Sequence, residues 1–376
     1  MITRETIINL ANQESDLCIS IYLPTHKMGE QVQQDPIRLK NLLNEVQKRL
    51  KSHDITDQKI ETLLEKPTKL LDKPSFWAEN DEGLAFFISD EYFDFFRIPH
   101  SPEQRLMIDN HFLITPLVPM ISLEGTFCVL ALSQKRVRLL RCTRTNVENV
   151  ELDDTPLSMD EFRQYNVYEK NIYTGGNPRA QTAFQGWGDG SYDRNDVENY
   201  LKIIENEVTS ILRKWNDPLV LAGVKEVAAL YKKINHYHRL MDQVVTGNPD
   251  PWSDDEIKKA GWEKIQSYFL KDMYEDMRRF GNLTDTEKQS ENLTKIVEAA
   301  YYGKIDSLFV SLDGDSWGWF DPDHDVVHHS AEPKNGEHDL INMAAIKTLT
   351  QSGNVYALDK DNMPNNASIA AIFRYS

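Results

Sequence analysis

The residues best suited to chemistry lie in the run YTGGNPRAQTAFQGWGDG, from Tyr173 to Gly190. Its eighteen residues hold five glycines, two glutamines, one arginine and three aromatics. Glycine reaches positive φ and lets another backbone come close, so Gly175, Gly176, Gly186, Gly188 and Gly190 mark a loop built for close approach. The run contains no Cys, His or Ser and no carboxylate pair. Asn177, Gln181 and Gln185 carry amides, which orient a water or a carbonyl by hydrogen bonding rather than attack it. A loop of this length inside a compact domain is more often functional than idle. Positioning, not nucleophilic attack, is the expected chemistry.

Other constellations are weaker. Lys135, Arg136, Arg138, Arg141 and Arg144 form the densest basic group. Arg136 and Arg138 alternate with Val137 and Leu139, which puts both on one face of a strand. That face is either a solvated edge that discourages pairing or a phosphate contact beside the glycine loop, with Arg179 as a third cation. From Asp313 to Asp339 there are eight carboxylates against one lysine, Lys334. Asp321, Asp323, Asp325 and Glu332 fall at calcium-loop positions, but Val326 stands where the turn needs glycine, so a solvated acidic hairpin is expected. His328 and His329 are adjacent and point to opposite faces of a strand, which argues against a shared metal. His236, Tyr237 and His238 lack a nucleophile on a tight elbow. Neither a phosphate-binding loop nor a dinucleotide fingerprint is present, so no metal and no cofactor is expected.

The elements that must position these residues read as mixed α/β, in three α/β domains with mixed sheets. The first, 1–122, has a strand at Cys18–Leu23 and a helix capped by Asp35 with Pro36 at its first turn. A second helix, Thr56 to Glu65, is expected to stop at Pro67. Strands follow at Leu84–Phe87, Tyr92–Ile98 and His111–Leu117, and Pro116 to Gly125 reads as a linker. The second domain, 123–249, pairs Phe127–Leu132 with Val137–Arg141, then presents the loop 173–190. A helix through Val197, Tyr200, Leu201, Ile204, Val208 and Leu212 follows, then a buried strand Leu219–Val224. The third, 250–376, opens on a Ser253/Glu256 capping box with a helix to about Arg279; Thr284 and Glu287 suggest another ending near Tyr302. Strands Ile305–Ser311, Val355–Leu358 and Ile369–Tyr375, with helix Leu340–Thr350, complete it.

At 376 residues the chain is long enough for two or three cores. Its net charge of −17 argues against a protein that coats nucleic acid, DNA included. The acidic start has no apolar leader core and no run is long enough to span a bilayer, so a cytoplasmic protein without a membrane partner is expected. Cys18, Cys128 and Cys142 sit in strand-like apolar patterns and read as reduced core residues.

With these residues laid out, the chain resembles the bacterial members of the archaeo-eukaryotic release factor superfamily. SIYLPTH (Ser20 to His26) followed by QQDPIRLKNLL (Gln33 to Leu43) resembles the N-terminal signature of the type 3 group. FCVLALSQKRVRLLR (Phe127 to Arg141) and the glycine loop resemble the middle domain. AAYYGKIDSLFVS (Ala299 to Ser311), GNVYAL (Gly353 to Leu358) and IAAIFRY (Ile369 to Tyr375) resemble the C-terminal domain shared with Pelota, which has the kink-turn-binding ribosomal protein fold. The resemblance implies ribosome or tRNA as partner. It also implies that a loop carrying Gly-Gly-Gln places water against the peptidyl-tRNA ester. Here the motif is Gly175-Gly176-Asn177, followed by Pro178, which holds Asn177 extended; Gln181 and Gln185 are the available substitutes. The acidic C-terminal stretch implies a protein partner rather than RNA, and no codon-reading motif is visible. The competing reading is a non-catalytic interaction or stress protein that keeps the fold.

Overall fold

The computed structural model describes residues 2–27, 30–153, 155–170, 194–284, 286–330 and 337–375. Its contacts gather Met1–Ser122 with Asp272–Ser376 into one compact unit and Leu123–Lys271 into a second. Sheets built from each of the three expected regions are present, and the architecture is mixed α/β.

In the first unit, an antiparallel sheet has the strand order Phe93–Ile98, Gly83–Ile88, Glu14–Pro24, Arg105–His111. Helices Asp35–Ser52 and Asp57–Leu71 bury Leu39, Leu43, Val46, Leu50, Ile60 and Leu63 against one face, with Ile19, Ile21 and Leu23 of the central strand. The strand and helix of the N-terminal signature are stapled together. His26 offers both its backbone N–H and Nδ1 to the fully buried Asp35 carboxylate, each at 2.9 Å, and Arg38 Nη1 donates to Pro24 O at 3.3 Å. Asp35 therefore serves the strand end, not the helix cap; Gln34 occupies the cap without a side-chain bond. The second helix runs through Pro67, whose buried ring fills the interface in place of one backbone hydrogen bond. The fourth strand is Arg105–His111, earlier than the pattern suggests. Residues Thr115–Leu117 form a 3₁₀ turn instead, because Phe112, Leu113 and Ile114 are buried where Ser20 and Asn342 bind the Leu113 and Ile114 N–H groups.

The other half of this unit has a mixed sheet ordered Gln289–Ser290, Ile369–Phe373, Ile305–Ser311, Asn354–Leu358. Helix Leu340–Thr350 is buried almost throughout. The helix expected from Thr284 begins later, at Leu293, where Asn292 caps it by accepting from the Lys295 N–H. A small sheet ordered Val326–Ser330, Trp317–Asp321, His338–Asp339 carries the acidic hairpin.

The second unit is a five-stranded mixed sheet ordered Val147–Val150, Val137–Cys142, Phe127–Leu132, Leu219–Gly223, Leu240–Thr246, the last three parallel. Helices Arg194–Trp215 and Lys225–Ile234 cover one face through Val197, Leu201, Ile204, Val208 and Tyr231. Helix Asp254–Phe269 covers the other, so the unit extends past the expected boundary at 249. Ile257 and Ile265 pack on Phe127, Val129 and Val220, and a Cβ at Gly261 would lie 2.6 Å from Val129 Cγ2. The expected single helix to Arg279 is two, Asp254–Phe269 and Lys271–Asn282, divided at the unit boundary.

Candidate functional site

In open sheets of parallel strands, the carboxyl ends form the favoured ligand-facing edge, because backbone and loop groups converge there. In the second unit these ends are Leu132, Gly223 and Thr246. They are tied by short links. Gly247 N–H donates to Gly223 O at 3.2 Å, and a Cβ at Gly223 would meet Leu132 O at 3.0 Å. Ser133, buried at the turn, accepts from the Arg136 N–H at 3.0 Å and also bonds the Asp250 carboxylate.

This turn positions the helix that leads to the glycine loop. Met159 N–H donates to Gln134 O at 3.1 Å and Val137 N–H to Leu157 O at 2.8 Å, which fixes the start of helix Met159–Lys170. Helix Arg194–Trp215 has 22 residues and spans about 33 Å, whereas strand Leu219–Gly223 covers about 17 Å. Its first turns accordingly pack on helix Met159–Lys170, with the Phe162 and Tyr200 rings 5.4 Å apart. Residues 171–193 are thus bracketed by two helices that share a core with the sheet.

Gly175, Gly176, Asn177, Arg179, Gln181 and Gln185 lie outside the described residues. Of the two strand arginines, Arg136 is exposed in the turn beside Lys135. Arg138 is buried and fully engaged: Nη1 meets Asp254 Oδ1 at 2.7 Å and Trp252 O at 2.9 Å, and Nη2 donates to Pro249 O at 2.6 Å. The expected shared face is not formed: Arg136 lies in the turn ahead of the strand, and Arg138 lies on the strand side covered by helix Asp254–Phe269. Arg138 acts as a clamp between the sheet and the 247–254 connection, not as a phosphate contact. Arg141 is likewise held, at 2.9 Å from Asp217 and over the Trp215 ring.

The His236–His238 cluster is structural. Tyr237 Oη donates to Asp217 O at 2.6 Å, and the His236 N–H donates to Glu205 Oε1 at 2.8 Å. Glu205, buried on the apolar face of its helix, was not singled out by the sequence pattern, although a carboxylate beside Ile204 and Val208 is a visible anomaly there. The acidic hairpin has Asp321 paired with Val326 across a tight turn at Asp325, where φ is 53°. Asp321 accepts from His324, and Asp325 accepts from the Tyr302 hydroxyl at 2.5 Å. Among the described residues no group of three or more His, Cys, Asp or Glu side chains converges as a metal site. The thiols of Cys18 and Cys142 are pushed by burial up to about 12, and Cys128 is raised further for the same reason.

Comparison with known proteins gives a family match for this unit. Residues 127–267, the whole bracketed unit but for its margins, match the family described as bacterial archaeo-eukaryotic release factor family 7. Over this domain the chain is similar to that release factor family, and the match is confined to these residues. The matching family is number 7, whereas the N-terminal signature resembles type 3. No curated protein matches the chain. Similar solved structures include an archaeal translation termination factor, aRF1, at 13% identity over 100% of this chain and 99% of that chain, TM-score 0.24. Another is Saccharomyces cerevisiae Dom34, a translation termination-like factor, at 14% identity over 78% and 73%, TM-score 0.36. A third is Archaeoglobus fulgidus Pelota, at 10% identity over 99% and 92%, TM-score 0.33. No described helix is long and apolar enough to cross a membrane.

Proposed function

We propose that this protein acts at the ribosome as a release-factor-like protein of the cytoplasm, in rescue of stalled complexes or release of peptidyl-tRNA without codon reading. One observation carries the reading: the segment matching the release factor family is the unit that brackets residues 171–193 with two packed helices. In this proposal Gly175 and Gly176 allow close approach to the peptidyl-tRNA ester. Asn177, Gln181 or Gln185 orients the attacking water, which needs a hydrogen-bonding amide and no ionisable nucleophile. Arg179 and Arg136 contact phosphate, while Arg138 is reserved for the fold. The acidic C-terminal face takes a protein partner rather than RNA.

The test is release of labelled peptide from peptidyl-tRNA on stalled ribosomes, with Gln181→Ala, Gln185→Ala and Asn177→Ala variants. Loss of release in one of the three assigns the orienting amide. Absence of release by the intact protein favours the second reading, a non-catalytic binding protein. That reading is favoured by the Asn177-Pro178 pair standing in place of the family's glutamine.

A further inference from the structure

Strand Arg105–His111 is the last in its sheet. It pairs only with Glu14–Pro24 on one side, and among the described residues no strand pairs with its other edge. That edge is not capped by solvent-facing charge alone. It forms the floor of a trough between two walls. The larger part, about 670 Å³, is lined on one side by Leu50, His53 and Ile55 and on the other by Trp317, Glu337 and His338. A second hollow of about 440 Å³ shares Leu106, Met107 and Trp317 with it and continues the trough toward Asp313 and Asp315.

The outward direction of the backbone can be read from one contact. Arg49 Nη1 reaches Leu106 O at 3.5 Å from the helix wall, so Leu106 turns its carbonyl away from the paired strand. In an antiparallel strand the N–H and C=O of one residue point the same way and alternate along the chain, so Ile108 also faces outward. Leu106 and Ile108 pack toward the helix-side core, whereas Met107 packs toward the C-terminal side.

We propose that this trough is a docking site for an extended peptide that adds to the sheet edge, with apolar residues alternating with lysine or arginine. A strand added here turns alternate side chains to the two walls. Those on the Leu106 and Ile108 face meet Ile55 and His53. Those on the opposite face meet Trp317 and Glu337, an aromatic ring beside a carboxylate, which suits a cation. The charge of the lining points the same way. Six carboxylates, Asp16, Glu103, Asp109, Asp313, Asp315 and Glu337, stand against two guanidinium groups, Arg49 and Arg105. Arg105 is further neutralised by Glu103 and Asp315, each at 3.3 Å, and Asp109 is held by His338 at 2.5 Å. The site lies within one compact unit and does not depend on the ribosomal reading.

The probe is a fluorescein-labelled heptapeptide alternating lysine with valine or isoleucine, titrated against the full chain by fluorescence anisotropy. Two control peptides accompany it: one N-methylated at alternate residues, which removes main-chain donors, and one with every lysine replaced by glutamate. Saturable binding is expected. It should weaken by about tenfold on N-methylation, the loss of roughly two main-chain hydrogen bonds. The glutamate peptide should not bind. Bound probe should also slow hydrogen exchange at the Leu106 and Ile108 amides. Asp16→Lys, an exposed substitution that leaves the core untouched, should weaken the lysine peptide several-fold. Absence of saturable binding overturns the proposal. So does equal affinity for the N-methylated or the glutamate peptide, or unchanged exchange at both amides.

Discussion

Asp339→Asn is expected to stabilise the protein, and to do so only above mildly acidic pH. Asp339 is buried at the start of helix Leu340–Thr350, where its Oδ1 accepts from the Ile341 N–H at 3.1 Å and the Ser316 N–H at 3.3 Å. Burial first, and then the nearby Asp315 carboxylate, raise its carboxyl from 3.8 to about 7. An acid raised in the folded state binds its proton there after the unfolded chain has released it. Stability therefore falls as pH climbs from about 4 through about 7, and the full penalty applies above that. At roughly 1.4 kcal/mol per pH unit, the displacement is worth on the order of 4 kcal/mol, an upper figure. His338 acts in the same direction. The Asp109 carboxylate raises its imidazole, so its contribution is complete below the unfolded value of 6.5 and is lost as pH rises through the folded one. Asparagine keeps an acceptor oxygen for the Ile341 N–H and carries no charge. Urea unfolding of Asp339→Asn and wild type should differ little near pH 4.5. At pH 8.5 the variant should be more stable by about 2–4 kcal/mol. Equal or lower stability of the variant at pH 8.5 would refute the account of this carboxyl.

Other outcomes follow from the packing. Arg138→Ala should destabilise the second unit by about 3 kcal/mol or more, because it strands the Asp254 carboxylate and two carbonyls. Arg136→Ala should change thermal stability by no more than about 0.5 kcal/mol, and comparable losses for the two would contradict their different placement. Gly261→Ala should cost about 1–3 kcal/mol in urea unfolding, since the new methyl would press on Val129 Cγ2 and on Phe127; a neutral effect would mean the helix shifts freely. The three cysteines should resist a thiol-reactive dye at pH 8 until denaturant is added, as buried thiols pushed upward hold almost no thiolate.

Much of the scaffold was legible because period and burial coincide. Phe127–Leu132 and Leu219–Gly223 are short apolar runs buried on both faces, Val137–Cys142 is buried at every position but Arg141, and the helix through Val197 to Leu212 presents one continuous stripe. Strand Leu240–Thr246 was not legible: Met241, Asp242, Gln243 and Val244 make it half-exposed at the sheet edge, so no apolar run announces it. Pro67 misled because burial of its ring offsets a missing backbone bond, a tertiary gain invisible locally. Asp35-Pro36 misled for a related reason: the spacing fits a cap, but a histidine nine residues earlier claims the carboxylate. Arg138 shows the same limit at the candidate site. Alternation identifies its face, and only the fold shows that helix Asp254–Phe269 covers it.

The most direct test of the central claim is ribosome co-sedimentation at low and moderate salt, comparing the intact protein with a deletion of Gly175–Gly188. The account predicts that intact protein sediments with ribosomes and that the deletion releases it while the remaining fold persists. Association that is absent at both salts, or unchanged by the deletion, would contradict it.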